Sequence, residues 1–224
     1  MHIGMIVGIG PAATDYYYRY LIKAFGLANR DLQLTMAHAD TKTLLKNQAE
    51  GNNQAQVDIY VSLADRLQKC GVERLAVTSI AGHFCIRQFM VVSPIPVIDL
   101  LDTVRREVIR RGYKRLGLLG TRVVMETRFY GALEPAQVIA PVEMMSEVHN
   151  AYVAMATAGA ATNEQREVFL QAGRLLTNEH GCESILLAGT DLGLVFNSGF
   201  DARFVTFDCA EVHAAAIADM AMSS

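Results

Sequence analysis

Cysteine is scarce and unpatterned in this 224-residue chain: Cys70, Cys85, Cys182 and Cys209 make neither a CxxC pair nor a metal-spacing set. Scattered thiols in a chain of this length exclude a disulfide framework and read as a reduced, cytoplasmic protein. Basic charge is not in excess either. Against 23 Asp and Glu stand 20 Lys and Arg, a formal charge of -3. With no basic stripe, nucleic acid is excluded as an expected partner. No apolar run approaches the length that spans a bilayer, so no membrane partner is expected. The opening MHIGMIVGIGP carries no basic leader and no long apolar run before Pro11, unlike a signal peptide. Pro- or Ser-rich linkers are missing as well.

What is present is apolar residue, 51% of the chain, enough for a sizeable core in one large domain or two small ones. Apolar runs at Ile3–Val7, Leu32–Ala37, Leu75–Val77 and Ile95–Ile98 read as strands, and the series resumes at Arg115–Gly120, Val138–Ala140, Ser184–Leu187 and Phe204–Phe207. Between them lie stretches of helical periodicity, such as Val57, Tyr60, Val61, Ala64 and Leu67, entered through the candidate cap Asn53 and stopped by Gly71. Strands alternating with helices predict a parallel α/β fold.

Two stretches repeat. GVERLAVTSIAGHF from Gly71 and GCESILLAGTDLGLVF from Gly181 match at a constant offset, pairing Glu73 with Glu183, Leu75 with Ile185, Val77 with Leu187 and Ser79 with Gly189. Arg115–Thr121 likewise parallels Ile3–Gly10. The repeat predicts two pseudo-symmetric lobes, approximately residues 1–98 plus 206–224 and residues 99–205, with the chain crossing between them more than once. Ligands of open α/β sheets bind beyond the carboxyl ends of strands. Two equivalent strand ends therefore predict one small ligand in a cleft between the lobes.

The turn Gly8-Ile9-Gly10-Pro11 matches GxGxxA with Ala13, a dinucleotide signature. The acidic residue that should follow is misplaced, because Asp40 lies about ten positions too far along. A tight turn presenting backbone N–H groups and a helix N-terminus, capped by Thr14 or Asp15, to a small carboxylate fits better. No cofactor and no metal are expected.

The order of these segments resembles the cofactor-independent aspartate/glutamate racemase family, which does not use pyridoxal phosphate. The likeness rests on IGMIVGIGPAATDYYY at the start, AVTSIAGHF where the family carries Cys-Asn-Thr-x-His, and LAGTDLG where it carries Leu-Gly-Cys-Thr-Glu. LGLLGT and FDCAEVHAAA, with Asp208 and His213, fit as well. The resemblance implies two α/β lobes, a homodimer, a small carboxylate substrate and an amino-acid isomerase in which two thiols exchange a proton at Cα. In this chain Ser79, or Thr78 if the loop is one residue longer, takes the first thiol position, with Ile80 in place of Asn. Gly189 takes the second, followed by Thr190 and Asp191. Serine ionises far less readily than a thiol and acts only beside a base, and glycine carries no proton. A symmetrical two-thiol reaction is thereby excluded.

His83, four residues after Ser79, is placed to serve as that base, or else to hydrogen-bond backbone carbonyls and shape its loop. Asp191 either orients a ligand or His213, or caps the following helix. Thr121 and Thr190 match family positions that hold substrate carboxylates, and Gln48 resembles a polar residue that touches substrate. Gly10, Ile80 and Ala81 line the same expected site, while Cys85 reads as apolar filler. Three functions remain open. One is a racemase-family isomerase using Ser79, Thr78 or His83. Another is a one-sided lyase or decarboxylase that stabilises an enediolate. The third is a catalytically silent anion-binding protein, for which Gly189 leaves room.

Overall fold

The computed structural model describes residues 1–196 and 202–223. The chain forms two compact units, Met1–Leu100 with His213–Ser224, and Leu101–Val212, so it passes from one to the other twice.

The first unit is built from β1 (Ile3–Val7), α1 (Pro11–Leu27), β2 (Leu34–His38), α2 (Thr41–Ala49), α3 (Asn53–Lys69), β3 (Arg74–Val77), a 3-10 turn over Ala81–Cys85, and α4 (Ile86–Val92). Its sheet is parallel with β1 in the middle, in the order β2-β1-β3. Every residue of β1 is buried, as a central parallel strand covered on both faces requires. At about 1.5–3 kcal/mol for each fully buried large apolar side chain, Ile3, Met5 and Ile6 together contribute about 5–9 kcal/mol.

After α5 (Leu100–Arg111) the second unit repeats the pattern. It holds β4 (Arg115–Gly120), α6 (Arg122–Glu126), β5 (Gln137–Ile139), α7 (Met145–Ala158), α8 (Asn163–Asn178), β6 (Ser184–Ala188), α9 (Gly193–Phe196) and β7 (Thr206–Asp208), and α10 (Cys209–Met222) follows. Its parallel sheet runs β5-β4-β6-β7, so β4, β5 and β6 stand as β1, β2 and β3 do. The repeat extends to side chains. Glu73 accepts the main-chain N–H of His2 at 2.9 Å, and Glu183 accepts those of Lys114 at 2.6 Å and Arg115 at 2.9 Å. Each carboxylate thus ties the third strand of its unit to the start of the first.

The parallel α/β architecture expected from the sequence is what the chain adopts, with local differences. Ile95–Ile98 does not form a strand but makes a single bridge, Leu75 with Val97. Pro94 and Pro96 lack the N–H groups that a ladder needs. Helix α1 begins at Pro11, whose fixed φ suits the first turn, rather than being capped by Thr14 or Asp15. Thr14 instead accepts from the Gly8 N–H and donates to the Gly10 carbonyl. Asn52, not Asn53, caps α3. Among the described residues no helix is long and apolar enough to cross a membrane.

Candidate functional site

In the first unit, β1 and β3 are hydrogen-bonded neighbours running in parallel, so the loops after Val7 and Val77 leave the sheet at the same end. The first loop turns through Gly8 at φ 96° and Gly10 at φ 98°, a left-handed backbone that glycine adopts without strain. The second carries Thr78, Ser79, Ile80, Ala81 and His83. Thr78 is buried with its hydroxyl donated to the Ile6 carbonyl at 3.2 Å, so it extends the sheet. Ser79, Ile80 and His83 are buried as well. Gln48 of α2 donates to the Ala81 carbonyl at 2.9 Å, and Tyr60 of α3 donates to the Gly82 carbonyl at 3.2 Å. A β-carbon at Gly82 would collide with that Tyr60 hydroxyl. The loop is therefore fixed from two helices.

His83 is the chemically distinctive group. Its Nδ1 lies 2.6 Å from the Ser79 main-chain carbonyl. A carbonyl only accepts, so Nδ1 carries the proton and Nε2 holds a bare lone pair. That Nε2 is buried and has no hydrogen-bond partner among the described residues. Burial holds the imidazole below its ordinary pKa, against the opposing pull of the Asp99 carboxylate and the Ser79 carbonyl. The ring is thus a neutral base of fixed tautomer. Its hydrogen bond to a backbone carbonyl and its capacity as a base coexist, one on each nitrogen.

His213 is a support. Its Nε2 lies 2.9 Å from the Ile98 carbonyl and Nδ1 2.9 Å from the Tyr17 hydroxyl, and burial depresses its pKa to about 3. Three cysteines carry no thiolate, because burial pushes Cys85 to about 12 and raises Cys182 and Cys209. Among the described residues no group of three or more His, Cys, Asp or Glu is placed to hold a metal ion.

In the second unit, Gly120 of β4 is in register with Ala188 of β6, so Thr121 and Gly189 follow neighbouring strand ends. Thr121 caps α6 through the Val124 N–H at 3.5 Å. Thr190 and Asp191 are buried in the turn after β6. Asp191 accepts from the hydroxyl of Tyr152 of α7 at 3.0 Å. The space beside Gly189, expected to be open, is filled by this tyrosine: an added β-carbon would collide first with the ring-edge Cε2, and would lie 2.9 Å from Cζ and 3.0 Å from the hydroxyl oxygen. Burial, then the Asp191 charge, raises the phenol well above its ordinary pKa and keeps it protonated. Asp208, at the end of β7, accepts from the Ala210 N–H at 2.7 Å, and burial pushes its carboxyl up to about 7.

The fold that carries these strand-end loops is matched by known proteins. The sequence profile of the Asp/Glu/hydantoin racemases fits residues 6–217. The chain belongs to that family. A candidate Asp/Glu racemase from Yersinia pestis is similar to it over 99% of this chain and 100% of that one, at 25% identity and a TM-score of 0.86. An aspartate racemase homologue from Pyrococcus horikoshii is also 25% identical, covering 99% of each chain with a TM-score of 0.82. A glutamate racemase from Francisella tularensis, in complex with D-glutamate, shares the fold at 12% identity, 99% and 81% coverage and a TM-score of 0.68.

Within this racemase fold, Tyr60, Asp99 and Tyr152 were not legible as site residues in the sequence. Tyr152 sits on the apolar face of α7 with Val148, Ala151 and Met155, where periodicity reads only as core. The available signal was the exchange of Ser79 for Gly189 across the repeat, since a missing side chain in a packed unit asks what fills its volume.

Proposed function

We propose that the protein is a cofactor-independent isomerase that acts on a small amino-acid carboxylate of the aspartate or glutamate type by removing the proton at Cα. The observation that carries this reading is His83, a buried neutral imidazole whose Nε2 is bare and whose tautomer is set by the Ser79 carbonyl. In this reading Ser79 and Gly189 occupy the positions of the two family thiols, and His83 takes over the base role that a serine hydroxyl fills poorly. Ser79 binds substrate through its hydroxyl, and Thr78 holds the loop on the sheet. Gly10, Ile80 and Ala81 offer main-chain groups, with Gln48 holding Ala81 in place. Thr121, Thr190 and Asp191 are the candidate substrate contacts of the second unit. The working form is a cytoplasmic homodimer that needs no bound cofactor.

A one-sided lyase or decarboxylase is the second reading, favoured by Gly189, which has no side chain to carry a proton. Incubation with L- and D-amino acids and small dicarboxylates in deuterated water separates the two. Exchange at Cα with inversion is the expected result. Exchange without inversion, or release of carbon dioxide, supports the second reading. Absence of both exchange and carbon dioxide release with every compound rejects both.

A further inference from the structure

We infer that the second unit carries a further binding site, a cavity at the outer edge of β5 that takes a monocarboxylate with an aliphatic body. It stands apart from the isomerase reading, because none of its lining residues is a candidate substrate contact.

The cavity has a volume of about 650 Å³, within the range of roughly 300–1,000 Å³ that small-molecule sites occupy. Every residue lining it lies between positions 122 and 146, so the second unit alone builds it. Thr121, Gly189, Thr190 and Asp191 do not line it. Strand β5 is the last strand of its sheet, in the order β5-β4-β6-β7. The Gln137 N–H is donated inward, to the Lys114 carbonyl at 2.8 Å before β4. Main-chain groups point to alternate sides along a strand, and an edge strand leaves the outward set unpaired. Those of Val138, a lining residue, therefore point off the sheet edge.

Charge narrows the ligand. Two guanidinium groups, Arg122 and Arg128, and one carboxylate, Glu126, border the space, leaving one net positive charge to meet a monoanion. Arg122 is fixed: it donates to the Ser146 hydroxyl at 2.9 Å, and its guanidinium lies 3.6 Å from Glu126. The Arg128 side chain has no hydrogen bond or ion pair among the described residues. Its backbone is unusual. Arg128, Phe129 and Tyr130 take φ of 50°, 60° and 56° in succession, a left-handed path that is costly for residues with a β-carbon and that gathers at ligand clamps. Phe129 is fully buried and anchors the path, which leaves Arg128 at the cavity wall.

The rest of the wall is apolar. Met125 is fully buried and Val142 keeps 72% of its surface exposed, so with Met145 the apolar lining runs from the interior to the mouth. A wholly aliphatic ligand would desolvate the Arg128 guanidinium without a partner. An inorganic anion would leave the apolar wall uncovered. A carboxylate joined to several carbons meets both demands. Fatty acids and N-acylated amino acids share this chemistry, and only the second also brings an amide to the outward N–H and C=O of Val138.

The test uses the whole chain with carbon-13 labelled methionine methyls and three probes: hexanoate, N-acetyl-L-leucine and hexylammonium. At least one carboxylate should shift the Met125 and Met145 resonances in a saturable way and leave Met5, in the first unit, in place. Hexylammonium should shift none. Tighter binding of N-acetyl-L-leucine assigns the site to acylated amino acids, and tighter binding of hexanoate to fatty acids. Arg128→Gln should weaken the tighter carboxylate about 10- to 100-fold, the loss of a charged hydrogen bond. The proposal is overturned by no saturable shift with either carboxylate, by equal binding of hexylammonium, or by unchanged affinity in Arg128→Gln. Should Arg128→Gln fail to fold by thermal melting, Val142→Asp decides. It sets a like charge at the exposed mouth and should weaken binding about tenfold; unchanged affinity there overturns the proposal as well.

Discussion

A β-carbon on Gly189 would stand 2.9 Å from Cζ of Tyr152, so the shape of the second unit's strand-end loop is set by a residue 37 positions earlier on a different element. Gly189→Ala should therefore destabilise by about 1–3 kcal/mol through overpacking. Gly26 in α1 supplies the contrast. An added β-carbon there meets nothing within 4 Å and φ is not positive, so Gly26→Ala should stabilise by about 0.5–1 kcal/mol. Urea denaturation of the two variants reads both signs.

Asp208 and His213 set opposing pH dependences. Burial raises the Asp208 carboxyl from 3.8 to about 7, so the native state binds a proton more tightly than the unfolded chain, and this group's contribution to stability falls as pH rises through that window. Burial lowers His213 from 6.5 to about 3, so its contribution rises over much the same range. In Asp208→Asn the amide oxygen still accepts from the Ala210 N–H, and only the carboxyl's slope is removed. The melting temperature of Asp208→Asn should climb with pH between about 4 and 6.5 more steeply than that of the wild type. An equal slope in the two proteins counts against the buried-carboxyl assignment.

Glu183 gives a third check, with acid as the lever. Hydrogen bonds from Arg115 and Lys114 N–H groups hold its carboxyl below the ordinary value of 4.5. Its stabilising effect is present above that value and lost as pH falls through the lower native one. Glu183→Gln should melt below the wild type at pH 7, and the gap should close in strong acid. A gap that persists at low pH would mean that the amide fails for packing reasons rather than charge.

The Glu73–Glu183 correspondence was readable in the sequence because repeated local patterns encode repeated local structure. The equivalence of β3 with β6 and both loop positions followed from it, whereas the strand order within each sheet was not read from the sequence. The edges were less legible. Ile95–Ile98 has the apolar content of a strand, yet two prolines reduce it to one bridge. The first half of the candidate site was legible because Thr78 to His83 are contiguous, and His83 lies within one turn of the Ser79 carbonyl that it meets. The second half was not, because Tyr152 meets Gly189 and Asp191 only through the packing of α7 against the sheet. A reading of residues near Gly189 sees an absent side chain and infers open space; tertiary packing had filled it.

The Ser79 main-chain carbonyl, not its side chain, is what orders His83. Ser79→Ala leaves that carbonyl in place, so the imidazole keeps its tautomer and its bare Nε2. His83→Gln removes the base altogether. Cα exchange in deuterated water should fall by about 10²- to 10⁴-fold in His83→Gln and by less than about tenfold in Ser79→Ala, the loss of one neutral hydrogen bond. Burial also keeps the His83 pKa below 6.5, so exchange by the wild type should persist on the acid side of that value before the imidazole protonates. If Ser79→Ala is as impaired as His83→Gln, the hydroxyl takes part in proton transfer and the histidine acts through it.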